Sequence, residues 1–349
     1  MFTIEVPPGH VALVRGPAEV RCEESCVVFG GRFSQLQVPP YRQYPVEGPT
    51  VVRLEGGVVE LTRGPATPQD WQIDVAGVVA LVGPVDSGKS GLSTFLLNRY
   101  HERKVCIIDA DVGQSDVGPP GLVSYSCATE PTVHISELTP RGGYYIGSAT
   151  PQGVEELLLA GVMYCLKRVA GERPYLTVIN TPGWTSGRGI QLLKALTDAT
   201  GAYVINIGEA VLRGLVVSKP RHVASRSLEE RRLWRNYSYR KHVALRYKMV
   251  ASYDLLTLCT WDRGLTCPWA RYQPGDRPER KERLYSVYPQ YLRNLFAVLY
   301  KGGELAGYGV VERLEPQLAL YTSTEDFDEV KIGKTRVNPE TLEELDPLP

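Results

Sequence analysis

The sequence predicts an α/β fold: a central parallel sheet with helices on both faces, flanked by an N-terminal β-sandwich-like domain and a C-terminal β-rich domain. Three observations point there. Between about residues 73 and 245, apolar runs of strand length alternate with helical segments, the rhythm of βαβ units. On either side, at 1–72 and 246–349, short apolar runs are separated by turns bearing Gly and Pro. One central run also passes directly into Gly-x-x-x-x-Gly-Lys-Ser and then into a stretch with few helix breakers.

In the first segment the runs are Val11–Val14, Cys26–Phe29, Thr50–Leu54 and Val58–Leu61, spaced as in a small sandwich. The central strands are expected at Val75–Val82, Lys104–Ile108, Tyr175–Asn180 and Ala202–Ile207. Helices are expected after the first of these, near 152–170 and near 189–200, because Val154, Leu157, Leu158, Val162, Cys165 and Leu166 recur at helical spacing. In the last segment Leu255–Cys259, Leu295–Tyr300, Gly307–Val311 and Gln317–Tyr321 read as strands. Glu325 to Asp346, with eight acids against three bases, reads as a solvated acidic tail.

At 349 residues the chain is long enough for two or three cores. Its net charge of zero means that any affinity for a polyanion must come from a local patch. The apolar stretch Leu157–Leu166 is shorter than the ~18 residues of a membrane span. The N-terminus lacks a basic stretch leading into an apolar one, so a cytoplasmic protein without membrane contact is expected. The seven cysteines are scattered and read as buried thiols of an intracellular protein. A Cys22–Cys26 disulfide is compatible with their spacing but not decided by it.

The loop Gly83-Pro84-Val85-Asp86-Ser87-Gly88-Lys89-Ser90-Gly91 has the residues a triphosphate needs, and makes the central sheet one of P-loop NTPase type. Gly83 and Gly88 let successive N–H groups turn inward, and the following helix adds the positive end of its dipole. Lys89 is placed to reach the β- and γ-phosphates, and the Ser90 hydroxyl to ligate Mg²⁺. The next strand ends in Asp109-Ala110-Asp111-Val112-Gly113-Gln114, a carboxylate pair suited to holding a metal and accepting a proton. The third ends in Asn180-Thr181-Pro182-Gly183-Trp184, with an indole able to stack on a base. From Arg213 to Lys248 there are eleven Lys or Arg against Glu229 and Glu230 alone, and arginines from such a segment stabilise a transferring phosphoryl group.

In order and spacing, the P-loop, Asp109-Ala110-Asp111-Val112-Gly113-Gln114, Thr181-Pro182-Gly183-Trp184 and Arg226-Ser227-x-x-x-Arg231-Arg232 resemble the polynucleotide 5′-hydroxyl kinases, in their short archaeal form. The resemblance covers all three segments. It implies an N-terminal β domain (1–72), a P-loop kinase domain (73–245) with a basic lid at about 213–248, and a C-terminal β-rich domain (246–349). It further implies ATP or GTP with Mg²⁺, and a 5′-hydroxyl end of RNA or DNA as acceptor. RNA-processing proteins are implied as partners through the β domains. By position, Lys89 matches the phosphate-binding lysine, Asp111 the carboxylate that activates the hydroxyl, and Ser90, Asp109 and Asp111 the metal side. Gln114 completes the second motif. Trp184 and the Gly147–Pro151 segment with Thr150 match the two jaws of a base clasp, and Arg226 and Arg231 match the lid arginines. Val85 and Ser90 stand where Thr is commoner in that family, and Ser218-Lys219-Pro220-Arg221-His222 departs from its pattern before the lid.

Two other classes fit parts of the pattern. A catalytically inactive ATP-binding scaffold of an RNA-processing complex would keep the P-loop, but has no need of Asp111 or the arginine pair. A GTPase switch would need an Asn-Lys-x-Asp motif, and the chain has no Asn-Lys dipeptide.

Overall fold

A computed structural model describes residues 2–252, 255–259, 269–271, 293–313 and 317–346. By internal contacts the chain forms two compact units, each assembled from separate stretches. The first is Met1–Asp109, Tyr125–Thr139 and Leu166–Trp234; the second is Ala110–Ser124, Pro140–Cys165 and Arg235–Pro349. The second unit thus takes three stretches, 110–124, 140–165 and 235–245, from the 73–245 segment that the sequence assigns to one domain.

The first unit opens with β1 (Phe2–Val6), β2 (His10–Val28), β3 (Gly31–Val38), β4 (Gln43–Glu47) and β5 (Thr50–Arg63). They form one five-stranded sheet, β1-β5-β2-β3 with β4 also beside β2, the β-rich N-terminal region the sequence predicts. Strand β2 is irregular. Gly16-Pro17 reads as a turn, but the strand runs on through it, and the register with β5 shifts between Arg15 and Ala18 to absorb the irregularity. A Cβ on Gly16 would lie 2.2 Å from the Pro39 carbonyl oxygen, so only glycine permits this close approach. The sheet's core contains Val14, Val20, Tyr44, Val46, Val52 and Leu54, all nearly inaccessible.

Next come β6 (Gly77–Val82), α1 (Lys89–Tyr100), β7 (Val105–Asp109), β8 (Leu122–Ala128), β9 (Gly142–Tyr145), α2 (Glu155–Gly171), β10 (Leu176–Asn180), α3 (Arg188–Thr200), β11 (Tyr203–Ile207), β12 (Leu215–Val217) and α4 (Leu228–His242). The order is β12-β11-β6-β10-β7-β8-β9, and the pairs from β12 to β7 are parallel. Every residue of β7 and β10 is buried, as in strands covered on both faces. Helix α1 is buried from Gly91 to Asn98, more than the one apolar face its sequence suggests. The β2–β3 turn covers its other side: Asn98 Nδ2 donates to the Phe29 and Thr132 carbonyls, each at 3.0 Å.

The free-thiol expectation is corrected. Cys22–Cys26 and Cys106–Cys127 are disulfides, the first within β2 and the second joining β7 to β8. Cys165 is a buried free thiol whose pKa burial pushes up. These pairings depend on strand register, which cysteine spacing alone does not reveal. Cys267 lies outside the described residues.

The second unit contains β13 (Tyr247–Ala251), β14 (Leu256–Cys259), β15 (Trp269–Arg271), β16 (Leu295–Lys301), β17 (Glu304–Arg313), β18 (Leu318–Thr322) and β19 (Glu329–Arg336), ordered β13-β18-β17-β16-β19-β14-β15. Alternation along β16 feeds two cores, Leu295, Ala297 and Leu299 on one face and Phe296, Val298 and Tyr300 on the other. The second core also takes in Leu122, Tyr145, Tyr239 and Val243. The acidic stretch is not a solvated tail. Its middle is β19, paired with β14 and β16, and Glu344 accepts Arg235 at 2.7 and 2.8 Å. Among the described residues no helix is long and apolar enough to cross a membrane.

Candidate functional site

In the first unit, the strands β6, β7 and β10 end level: Asn180 stands opposite both Leu81 and Asp109 in register. Their carboxyl ends are where a parallel sheet presents its loops to a ligand. Asp109 is fully buried and accepts Asn180 Nδ2 at 3.1 Å, while the Thr181 hydroxyl donates to the Leu81 carbonyl at 2.7 Å. Asn180 therefore orients the Asp109 carboxylate, a role the sequence reading gave to no residue.

From β6 the chain enters the P-loop. Gly88 has φ 103°, a left-handed conformation, and caps α1 without a side-chain hydrogen bond. The loop thus leaves the helix N-terminus to an anion. A Cβ at Gly83 would lie 2.7 Å from Ser87 Oγ, so the cradle exists only because this residue is glycine. Lys89 is buried and folds back over the loop, its Nζ donating to the Gly83 and Pro84 carbonyls at 2.8 and 2.9 Å. Pro84, Val85, Ser90 and Gly91 complete the loop and the first turn. The groups present fit a nucleotide's phosphates.

The arginine segment meets this loop at Asp86. The Arg226 backbone N–H donates to one Asp86 oxygen at 3.1 Å, and its Nε and Nη2 donate to the other at 3.3 and 3.2 Å. Arg231 Nη2 donates to Asp86 at 2.9 Å. The cause is local. Ser227 Oγ accepts the Glu230 N–H at 3.1 Å and Glu230 returns a carboxylate to the Ser227 N–H at 2.9 Å, a capping box that starts α4. Arg226 and Arg231 occupy the positions just outside this box, which often hold an apolar contact pair. Here they share one carboxylate instead. The Ser-x-x-Glu spacing is present in the sequence and was the missed signal. Burial works to raise the Asp86 pKa, but the Arg226 N–H and the charges of Arg226 and Arg231 together hold it below the usual carboxylate value.

Trp184 lies between β10 and α3, half-buried. Gly189 lies so close beneath its ring that a Cβ would fall 2.5 Å from the indole Cγ. The neighbouring Gly183 lies against Val85, where a Cβ would meet the Val85 side chain at 2.7 Å. The structure thus brings Trp184's loop, Asp109, the P-loop and both arginines together within the first unit.

Asp111, Gln114 and Thr150 belong to the second unit. The Gln114 N–H donates to Asp111 Oδ1 at 3.3 Å and to its carbonyl at 3.1 Å, closing a tight turn after Asp111. Gly113 lies against this segment's neighbour, 2.8 Å from Cβ to the Ala149 carbonyl, so the Asp111–Gln114 turn and the Thr150 segment meet. That segment is held to β19: the Lys334 N–H donates to the Gly147 carbonyl at 2.7 Å. Among the described residues there is no group of three or more His, Cys, Asp or Glu that could hold a metal ion. Within the first unit, the Ser90 hydroxyl and the Asp109 carboxylate are donors of the kind Mg²⁺ uses when phosphates complete its shell.

A parallel sheet with a P-loop and an arginine-bearing helix defines the chain as a P-loop protein of the nucleotide-binding class. Residues 83–243 match the family described as mRNA cleavage and polyadenylation factor CLP1 P-loop. The chain is 28% identical over 313 residues to the polyribonucleotide 5′-hydroxyl-kinase of Thermococcus kodakarensis, spanning 74% of this chain and 88% of that protein. It is 33% identical over 123 residues to the polyribonucleotide 5′-hydroxyl-kinase of Pyrococcus furiosus, which is 35% of this chain and 34% of that one. The fold is similar to that of Clp1p in a solved Clp1p–Pcf11p complex, with a TM-score of 0.70 at 12% identity over 96% of this chain and 97% of that one. At that identity the likeness concerns the fold alone.

Proposed function

We propose that this protein is a polynucleotide 5′-hydroxyl kinase that moves the γ-phosphoryl group of ATP to the 5′-hydroxyl of RNA. The observation that carries this reading is the placement of Arg226 and Arg231 on the P-loop's own Asp86, which sets two guanidiniums beside the phosphate cradle. The kinase names of the relatives support it.

In the transfer, the 5′ oxygen forms a bond to the γ-phosphorus, the bond from that phosphorus to the β–γ bridging oxygen breaks, and ADP leaves. The hydroxyl proton passes to Asp111. Lys89, Arg226 and Arg231 offset the charge that spreads over the transferring group, which is most of what such a reaction asks of a protein. Mg²⁺, held by Ser90 and Asp109, would add charge neutralisation on the phosphate oxygens. Trp184 supplies a stacking face for the terminal base, and Thr150 and Gln114 its opposite side. The two β-rich sheets are the surfaces offered to RNA-processing proteins. The test is transfer of label from γ-labelled ATP to a 5′-hydroxyl oligoribonucleotide, with a 5′-phosphorylated oligomer as control. GTP and oligodeoxynucleotides in the same assay settle donor and acceptor preference.

A further inference from the structure

The kinase reading gives the stretch between β5 and β6 no task, and the N-terminal sheet none in the transfer itself. That stretch holds Asp70 and Trp71, and both close on Ser218, the first residue after β12 and the root of the segment leading to Arg226. The Ser218 N–H and hydroxyl both donate to Asp70 Oδ2, at 2.7 and 2.8 Å. The Trp71 Nε1–H donates to the Ser218 carbonyl at 3.0 Å. One residue is therefore gripped through its N–H, its side chain and its carbonyl. Trp71 is fully buried against Phe95 of α1, so its indole is a fixed donor.

The N-terminal sheet holds the same segment further along. Gln43 of β4 donates to the His222 carbonyl at 3.1 Å. Arg15 of β2 pairs with Glu230 of the capping box, and the Arg42 guanidinium lies 3.8 Å over the Trp234 ring. The path from Ser218 to Trp234 is thus tied to the N-terminal sheet and linker at four places, and to Asp86 through its arginines.

We propose that the N-terminal domain and its linker are the mount of the arginine segment, with Asp70 and Trp71 as positioning residues that set where Arg226 and Arg231 stand. The catalytic consequence rests on the kinase reading; the anchoring rests on the hydrogen bonds at Ser218. Ser218 needs both its N–H and its hydroxyl on one carboxylate, so a neutral amide or a methyl at position 70 loosens the root while the distant arginines remain intact. A loosened root lets the guanidiniums spread over more positions, which lowers kcat more than ATP affinity, because the P-loop itself is untouched.

The experiment compares the full-length wild-type protein with Asp70→Ala, Asp70→Asn and Trp71→Phe, and with Asp198→Ala as a control that removes a surface carboxylate from α3. Trypsin cleavage after Arg221 and Arg226 is followed with time, alongside kcat and KM for ATP. Asp70→Ala is expected to speed both cleavages by about fivefold and lower kcat by a similar factor, with KM for ATP within about twofold. Asp70→Asn and Trp71→Phe, which preserve shape, fall between it and the wild type, and Asp198→Ala matches the wild type. Unchanged cleavage in Asp70→Ala overturns the anchor, and faster cleavage with unchanged kcat overturns its positioning role. If the wild-type protein transfers no phosphoryl group, the kinase reading fails by itself while the cleavage rates still decide the anchor.

Discussion

Asp86 and Arg226 are joined through both the backbone and the side chain of the arginine, the N–H on one carboxylate oxygen and the guanidinium on the other. Arg231 then takes a place on the same carboxylate. The P-loop therefore organises the two arginines to which the proposed reaction assigns the phosphates. Asp86→Asn is expected to lower kcat by about 10-fold or more while ATP still binds, as steady-state kinetics and ATP titration would show. An increase in kcat would mean that Asp86 competes with the nucleotide for the arginines.

The same pair has a pH signature. The Asp86 pKa is lowered in the folded protein, so its contribution to stability is complete above the ordinary value of 3.8 and is lost as pH falls through the lowered one. The wild type is expected to exceed Asp86→Asn in unfolding free energy by about 1–3 kcal/mol at neutral pH, with the gap closing only in strong acid. Denaturant melts at several pH values measure it.

Trp184 and Gly189 form a second testable contact. Trp184→Ala is expected to weaken oligonucleotide binding by about 10-fold, the scale of one lost base stack, and leave ATP binding intact. Gly189→Val pushes a side chain into the space the indole occupies and should reproduce that loss. Fluorescence anisotropy with a labelled 5′-hydroxyl oligomer reads both variants.

In the second unit, a Cβ at Gly333 would lie 2.2 Å from the Tyr145 hydroxyl and 2.7 Å from the Gly147 Cα. Gly333→Ala must push β19 away from the segment that leads to Thr150. The expected result is a loss of about 1–3 kcal/mol in stability together with a higher KM for the oligonucleotide. Thermal melts and acceptor titrations check the two effects separately.

What the sequence made legible follows from distance along the chain. Four of the seven central strands lie within two residues of their expected positions, because each is an apolar run bounded by breakers; β8, β9 and β12 were not expected. The P-loop is a local motif and could be read whole. The Asp86–Arg226 pair could not, since 140 residues separate its members. Nor could the division that groups Asp111 and Thr150 with the C-terminal strands, which arises from side chains such as Tyr145 packing on Phe296. The length of β2 was hidden for a different reason. A Gly-Pro that usually ends a strand is carried inside β2 by a register shift.

The central claim is phosphoryl transfer to a 5′-hydroxyl end, and it is tested most directly by label transfer from γ-labelled ATP with the wild type, Lys89→Ala and Asp111→Asn side by side. The account predicts label on 5′-hydroxyl oligoribonucleotide and none on the 5′-phosphorylated oligomer. It predicts a fall of about 10²–10⁴-fold for Asp111→Asn, and no transfer for Lys89→Ala. Tight ATP binding by a folded wild-type protein without any transfer of label would contradict it and leave a nucleotide-binding scaffold in its place.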